Sequence, residues 1–217
     1  LFGPPGAGKG TQAAKLIEKY GFHHISTGEV IREEIRQESP LGRSMKSYID
    51  KGHLAPDELV IDIITEYVCK HKDCKGNVFD GFPRTTPQAE AFDKIMEMHG
   101  APINLMLSLE VPDEELIKRI LLRSKDSGRA DDRCESVIRN RIDIYKAQTA
   151  IVAEHYKKQG KYRAVNSIDL QVQIAEIDAE FRKMLDRVST ETVEAFDEET
   201  ATRLMNEKAA CNSSSAV

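Results

Sequence analysis

The segment Gly3-Pro-Pro-Gly-Ala-Gly-Lys9-Gly-Thr11 constrains this chain more than any other. Glycines at that density let a backbone curl round an anion with successive N–H groups turned inward. The residues behind it carry a helical stripe, Ala13, Leu16, Ile17 and Tyr20, stopped by Gly21. A strand end, such a loop and then a helix form a phosphate cradle, because the positive end of the helix faces the same oxygens. Lys9 adds a point charge for β and γ phosphates. The spacing follows G-x-x-x-x-G-K-[ST] except at its last position, where Gly10 follows the lysine and Thr11 comes one residue later. That shift displaces the hydroxyl that ordinarily meets magnesium.

The rest of the chain reads as α/β. Apolar residues at helical spacing mark short helices around Val30, Ile31 and Ile35 and around Met45, Tyr48 and Ile49. Pro56-Asp57 opens another, and Ala89, Phe92, Ile95 and Met96 mark the next. Val78-Phe79-Asp80 is a brief buried strand ended by Gly81, and residues 103–111 read as a strand covered on both faces, as in a parallel sheet. Asp113 starts a helix through Leu116, Ile117, Ile120 and Leu121. Residues 124–132 form a loop, followed by one long helical stretch from Val137 to Tyr156, a short strand at 162–165 and a closing helix from Ile174 to Val188. The fold class expected is a doubly wound parallel sheet flanked by helices.

With 217 residues, one domain is expected, over 1–188. Residues 189–217 hold six acidic and two basic side chains and read as a weakly ordered tail or partial helix. The 36 acidic against 31 basic residues leave no excess to drive nucleic-acid binding, and no run nears the ~20 apolar residues that span a bilayer. Cys69, Cys74, Cys134 and Cys211 are scattered without matching histidines, so reduced thiols in a cytoplasmic protein are expected rather than disulfides or zinc. Only Leu1 and Phe2 precede the loop and no initiator methionine is present, so further apolar residues are expected upstream. No signal or transit segment is recognised.

The loop G-P-P-G-A-G-K-G-T-Q resembles that of nucleoside monophosphate kinases, and of adenylate kinases above all. Four further segments agree in order. Ser26-Thr27-Gly-Glu-Val-Ile-Arg32 resembles the family's monophosphate-binding motif, and Lys51-Gly-His-Leu-Ala-Pro-Asp57 the turn closing that subdomain. Asp80-Gly-Phe-Pro-Arg84-Thr-Thr-Pro-Gln88 matches D-G-[FY]-P-R-x-x-x-Q, and Gly128-Arg129-Ala-Asp-Asp132 with Arg139-Asn-Arg141 resembles the lid and its following helix. The likeness covers about residues 1–188. It implies a helical acceptor-binding insertion at about 26–55 and a short lid at about 122–132, with no room for the zinc-bearing lid of longer relatives.

The resemblance also implies roles. Gly6, Ala7, Gly8, Lys9, Gly10 and Thr11 would hold the phosphates of ATP. Arg119 and Arg123 lie one turn apart on one helix face; the first would lie against the donor base and the second reach its phosphates. Arg129 and Arg141 would clamp phosphates of both nucleotides, as the planar fork of arginine suits. On the AMP side stand Thr27, Arg32, His53, Leu54, Ala55, Gly81, Phe82, Pro83, Arg84 and Gln88. Arg84 would bind the acceptor phosphate, and the amide of Gln88 would read an adenine edge by paired hydrogen bonds. Asp80, at the carboxyl end of a strand, would hold Mg2+ through water. The catalytic set is Lys9, Arg84, Arg123, Arg129 and Arg141. His23, His24 and His53 have no expected catalytic part.

The reaction implied is magnesium-dependent ATP + AMP ⇌ 2 ADP, serving adenine-nucleotide homeostasis, in a monomer whose partners are ATP, AMP and ADP. A UMP/CMP kinase of the same fold is the nearest alternative. Thr27 stands where pyrimidine-preferring members tend to carry Ala, and Ala55 where the family usually has Val. A non-catalytic nucleotide-binding module is the other alternative.

Overall fold

The computed structural model describes residues 1–70, 75–166 and 169–195. The chain divides into two compact units, Leu1–Ile177 and Asp178 onward. In the first, α1 (Lys9–Tyr20) leads to β1 (His23–Ser26), α2 (Thr27–Arg36), α3 (Pro40–Asp50) and α4 (Asp57–Lys70). Then come β2 (Asn77–Asp80), α5 (Thr86–Met98), β3 (Met106–Leu109), α6 (Asp113–Arg123), α7 (Glu135–Ile144), α8 (Val152–Lys158) and β4 (Tyr162–Val165). The helix α9 (Leu170–Ala195) gives its first part to this unit and the rest, from Asp178, to the second. Within the second unit Arg182 and Asp178 pair one turn apart at 3.0 Å.

All strand pairing is parallel. β1 lies beside β2 with Ile25 opposite Phe79, and β3 beside β4 with Leu107 opposite Arg163. The first residues of the chain join the two pairs. The Leu1 nitrogen donates to the Phe79 carbonyl of β2 at 2.6 Å, while Phe2 exchanges backbone hydrogen bonds with Leu107 and Leu109 of β3 at 2.7 and 2.9 Å. The phosphate loop therefore leaves the middle of the sheet, between β2 and β3. This is the P-loop α/β architecture.

Burial explains the elements. All four residues of β3 are buried, as a strand covered by helices on both faces requires. Around β1 and β2 one core gathers Ile25, Phe79, Phe82 and Phe92, with Phe92 edge-on to both other rings at 4.7 and 4.9 Å. A second core packs Phe2, Met106, Val152 and Tyr156. Helices α3 and α5 each begin with a side-chain cap and an early proline: Ser39 accepts from the Gly42 N–H, and Thr85 from the Gln88 N–H.

Several boundaries differ from the sequence reading. The strand expected over 103–111 is confined to Met106–Leu109. The long helix expected from Val137 to Tyr156 is interrupted by a π-helical turn at Tyr145–Thr149, and the loop at 124–132 ends in a 3-10 turn at Ala130–Asp132. The closing helix begins at Leu170 and continues to Ala195, while the tail from 196 lies outside the described residues. Among the described residues no helix is long and apolar enough to cross a membrane.

Candidate active site

A cavity of about 840 Å³ opens at the carboxyl ends of the strands, the place where parallel sheets receive ligands. Its floor is the loop between the sheet centre and α1. Gly6 has φ +84°, and a Cβ there would stand 2.9 Å from the Ile120 side chain, so only glycine lets the loop lie flat against α6. Gly8, left-handed at φ 98°, caps α1 without a side-chain hydrogen bond, and the first turn of α1 holds no acidic residue. The free N–H groups of that turn, with Lys9 beside them, make an anion site. The Lys9 ammonium donates to the carbonyls of Gly3 at 2.9 Å and Pro4 at 3.0 Å, folding back across its own loop.

Arginines converge from the other walls. Arg123, ending α6, sends Nε and Nη2 to the two oxygens of Asp132 at 2.8 and 2.9 Å. Arg141 of α7 shares that carboxylate at 2.8 Å and also pairs with Asp131 at 2.9 Å. Asp132 has no exposed side-chain surface. Burial alone would raise its pKa, but the hydrogen bonds from Arg123 and Arg141 outweigh that and hold it below the usual range. Arg119 pairs with Glu115 one turn earlier at 2.8 Å, and Arg129 reaches Glu29 of α2 at 3.2 Å. Arg84 donates from Nε to the Gly81 carbonyl at 2.6 Å, and the buried Thr27 hydroxyl donates to the same oxygen at 3.0 Å.

Positive charge is concentrated here. Burial lowers the Lys9 pKa to about 8; Asp80 opposes this in part, while Arg84, Arg141 and Arg123 add to the drop. Burial, then the neighbouring Arg129, lowers Arg32 to about 10, and Arg84 is lowered by burial and by Arg141. Cations gathered this closely suit a polyanionic ligand.

The cleft gathers almost all the residues expected from the sequence. Gly6, Gly8, Lys9, Gly10, Thr11, Arg119 and Arg123 line one part of it. Thr27, Arg32, His53, Leu54, Ala55, Asp80, Gly81, Pro83, Arg84, Gln88, Arg129 and Arg141 line the remainder. Two side chains do not belong to it. Ala7 is fully buried behind the loop, where its N–H donates to the Pro4 carbonyl at 3.2 Å. Phe82 turns into the core against Phe92, where its ring gains from apolar packing. The Thr27 hydroxyl is directed to a backbone carbonyl rather than to open cleft.

Sequence reading missed the acidic partners. Asp131, Asp132, Glu29 and Asp57 hold cleft residues in place: Asp57 Oδ1 accepts from Gln88 Nε2 at 2.7 Å. The pair Asp131-Asp132 stood within the segment that resembles the family's lid, but nothing in spacing alone assigned it to Arg123 and Arg141.

A phosphate loop at the carboxyl ends of a parallel sheet, faced by converging arginines, defines a P-loop phosphotransferase. The sequence matches the family model described as adenylate kinase over residues 1–161. An adenylate kinase of Bacteroides fragilis is 50% identical over 168 residues, covering 77% of this chain and 88% of its own length. One from Bacteroides thetaiotaomicron is 49% identical over the same shares, and one from Porphyromonas gingivalis 43% identical over 85% of this chain and 96% of its own. The chain belongs to the adenylate kinase family.

Proposed function

We propose that the cleft catalyses ATP + AMP ⇌ 2 ADP, with ATP phosphates on the Gly3–Thr11 loop and AMP between Thr27, Arg84 and Gln88. The observation that carries this is the cation cluster: Lys9, Arg84, Arg123 and Arg141 line one cavity, and the arginines lie close enough to help burial lower the Lys9 pKa. Two nucleotides that face each other through their phosphates would place their negative charge in the middle of that cluster.

The chemistry asks little else of the protein. An acceptor phosphate oxygen attacks the γ phosphorus of ATP and the β–γ bridging oxygen leaves with its bonding pair on ADP, so no proton has to move. Lys9 and the α1 N-terminus hold the donor β and γ oxygens. Arg84 orients the attacking phosphate, and Arg123, Arg129 and Arg141 stabilise charge on the transferring group. Holding both partners in line converts a bimolecular encounter into a step within one complex.

Magnesium fits this site. The Asp80 carboxylate ends β2 beside the loop, 3.9 Å from where a Cβ of Gly10 would stand. Among the described residues no group of three or more acidic, His or Cys side chains is placed to hold a metal ion, and a Mg2+ held by substrate phosphates, water and one carboxylate needs none. Asp80 would hold it through water, and the ion would offset phosphate charge.

In this reading residues 26–55 close over the acceptor and 122–132 act as a short lid on a single kinase domain. The Arg129–Glu29 pair supports it, since it links the two segments across the cleft. Closure excludes water and so suppresses ATP hydrolysis. The test is chromatographic: incubate the protein with Mg-ATP and each of AMP, UMP, CMP and GMP, and quantify the diphosphates. ADP formation with AMP alone is expected. Faster turnover with UMP or CMP would assign the acceptor side to a pyrimidine.

A further inference from the structure

Gln88 is 1% exposed, yet it lines the cleft, and both ends of its amide are held. Its Oε1 accepts the Arg84 backbone N–H at 2.8 Å, and its Nε2 donates to Asp57 Oδ1 at 2.7 Å. A backbone N–H can only donate and a carboxylate can only accept, so these two partners fix which end of the amide is which. The second carboxylate oxygen, Asp57 Oδ2, accepts the Thr85 hydroxyl at 2.9 Å, and that hydroxyl caps α5 by accepting the Gln88 N–H. Asp57 opens α4, 31 residues away in sequence, and so fixes both the backbone and the side-chain end of Gln88.

We propose that Asp57 is a positioning residue for acceptor-base choice: it locks the Gln88 amide in the one orientation that matches adenine and mismatches hypoxanthine. This rests on the reading that Gln88 faces the AMP base. The amide keeps one N–H and one oxygen lone pair beyond the two contacts described. Adenine offers N1 as acceptor and its 6-amino group as donor, and the locked amide matches that pair. Hypoxanthine offers N1–H and a 6-oxo group, the reversed pattern, which a flipped amide would match. With Asp57 ionised the flip would set two acceptors face to face on one side and two donors on the other.

The test compares kcat/KM for AMP and IMP with Mg-ATP in the wild type, Asp57→Asn and Gln88→Leu. Asparagine can turn its own N–H₂ toward Gln88 and so removes one of the two partners that oppose the flip. Asp57→Asn is expected to lower the AMP-to-IMP ratio by about tenfold or more while KM for ATP stays within about twofold. Asp57→Ser, which keeps a residue suited to a helix start, carries the same expectation should the asparagine variant fail to fold. A ratio unchanged in both Asp57 variants but lost in Gln88→Leu would overturn the positioning role and leave Gln88 as the reader. A ratio unchanged in Gln88→Leu would instead overturn the reading that Gln88 faces the base. A purely structural role for Asp57 would lower thermal stability and both rates together, leaving the ratio unmoved.

Discussion

Lys9 breaks a local rule. A helix start favours acidic side chains, and α1 opens with a lysine and no acid in its first turn. Burial and neighbouring arginines hold its pKa near 8, well under the ordinary 10.5. Between those values the unfolded chain keeps a proton that the folded site has released, so this group makes stability rise with pH across that window. Below about 8 the ammonium is charged and ready for phosphate. ATP affinity of the free protein is therefore expected to fall as pH rises through about 8, which titration calorimetry at several pH values would measure. Lys9→Ala should lose about a hundredfold or more in turnover with its circular dichroism unchanged, and its ATP affinity should lack that pH step. Full turnover in this variant would show that the loop does not hold the donor phosphates. The motif made Lys9 legible in the sequence; its strained electrostatics were not, since they arise from Arg84, Arg123 and Arg141, which come from distant parts of the chain.

Helices were the most legible elements, because α2, α4, α5 and α6 each bury a stripe at helical spacing, such as Val60, Ile64 and Val68 in α4. β1 had no such signal. Its residues are His23, His24, Ile25 and Ser26, with burial concentrated at Ile25, so neither an apolar run nor a clear alternation marks it. The π turn at Tyr145–Thr149 was equally hidden, since it shifts the helical phase without a proline or glycine to announce it. Contacts between elements matter as well: Asp132 ties the end of α6 to the last turn of α7 through Arg123 and Arg141. Removing it takes that carboxylate from Arg123 and leaves Arg141 with Asp131. Asp132→Ala is expected to cost about 2–3 kcal/mol in urea unfolding, below the usual figure for a broken buried pair because Arg123 keeps some exposure. The acid limb should respond too. Asp132 sits below its ordinary 3.8, so its stabilisation is full above that value and is lost as pH falls through the lower folded one. The variant should show a shallower loss of stability in that acid window, and an unchanged urea midpoint would mean the clamp carries no stability.

At the scale of the whole molecule, the site is a meeting of segments that the chain keeps far apart. The loop, the Asp80–Gln88 segment, the α6 arginines and Arg141 were legible as motifs, and all reach one cavity. What joined them was less legible: Leu1 and Phe2 bridging β2 to β3, and Asp57 bridging α4 to Gln88. Such pairings leave no period or spacing in the sequence, because they depend on how helices and strands lie across one another. The proposed reaction requires two nucleotides to occupy this one cavity phosphate to phosphate, and ADP alone tests that most directly. The protein is incubated with Mg-ADP and no other nucleotide, and all products are quantified by chromatography. ATP and AMP should appear in equal amounts and at equal rates until the mixture reaches equilibrium. Release of inorganic phosphate with AMP and no ATP, or no change in ADP that remains bound, would contradict the account.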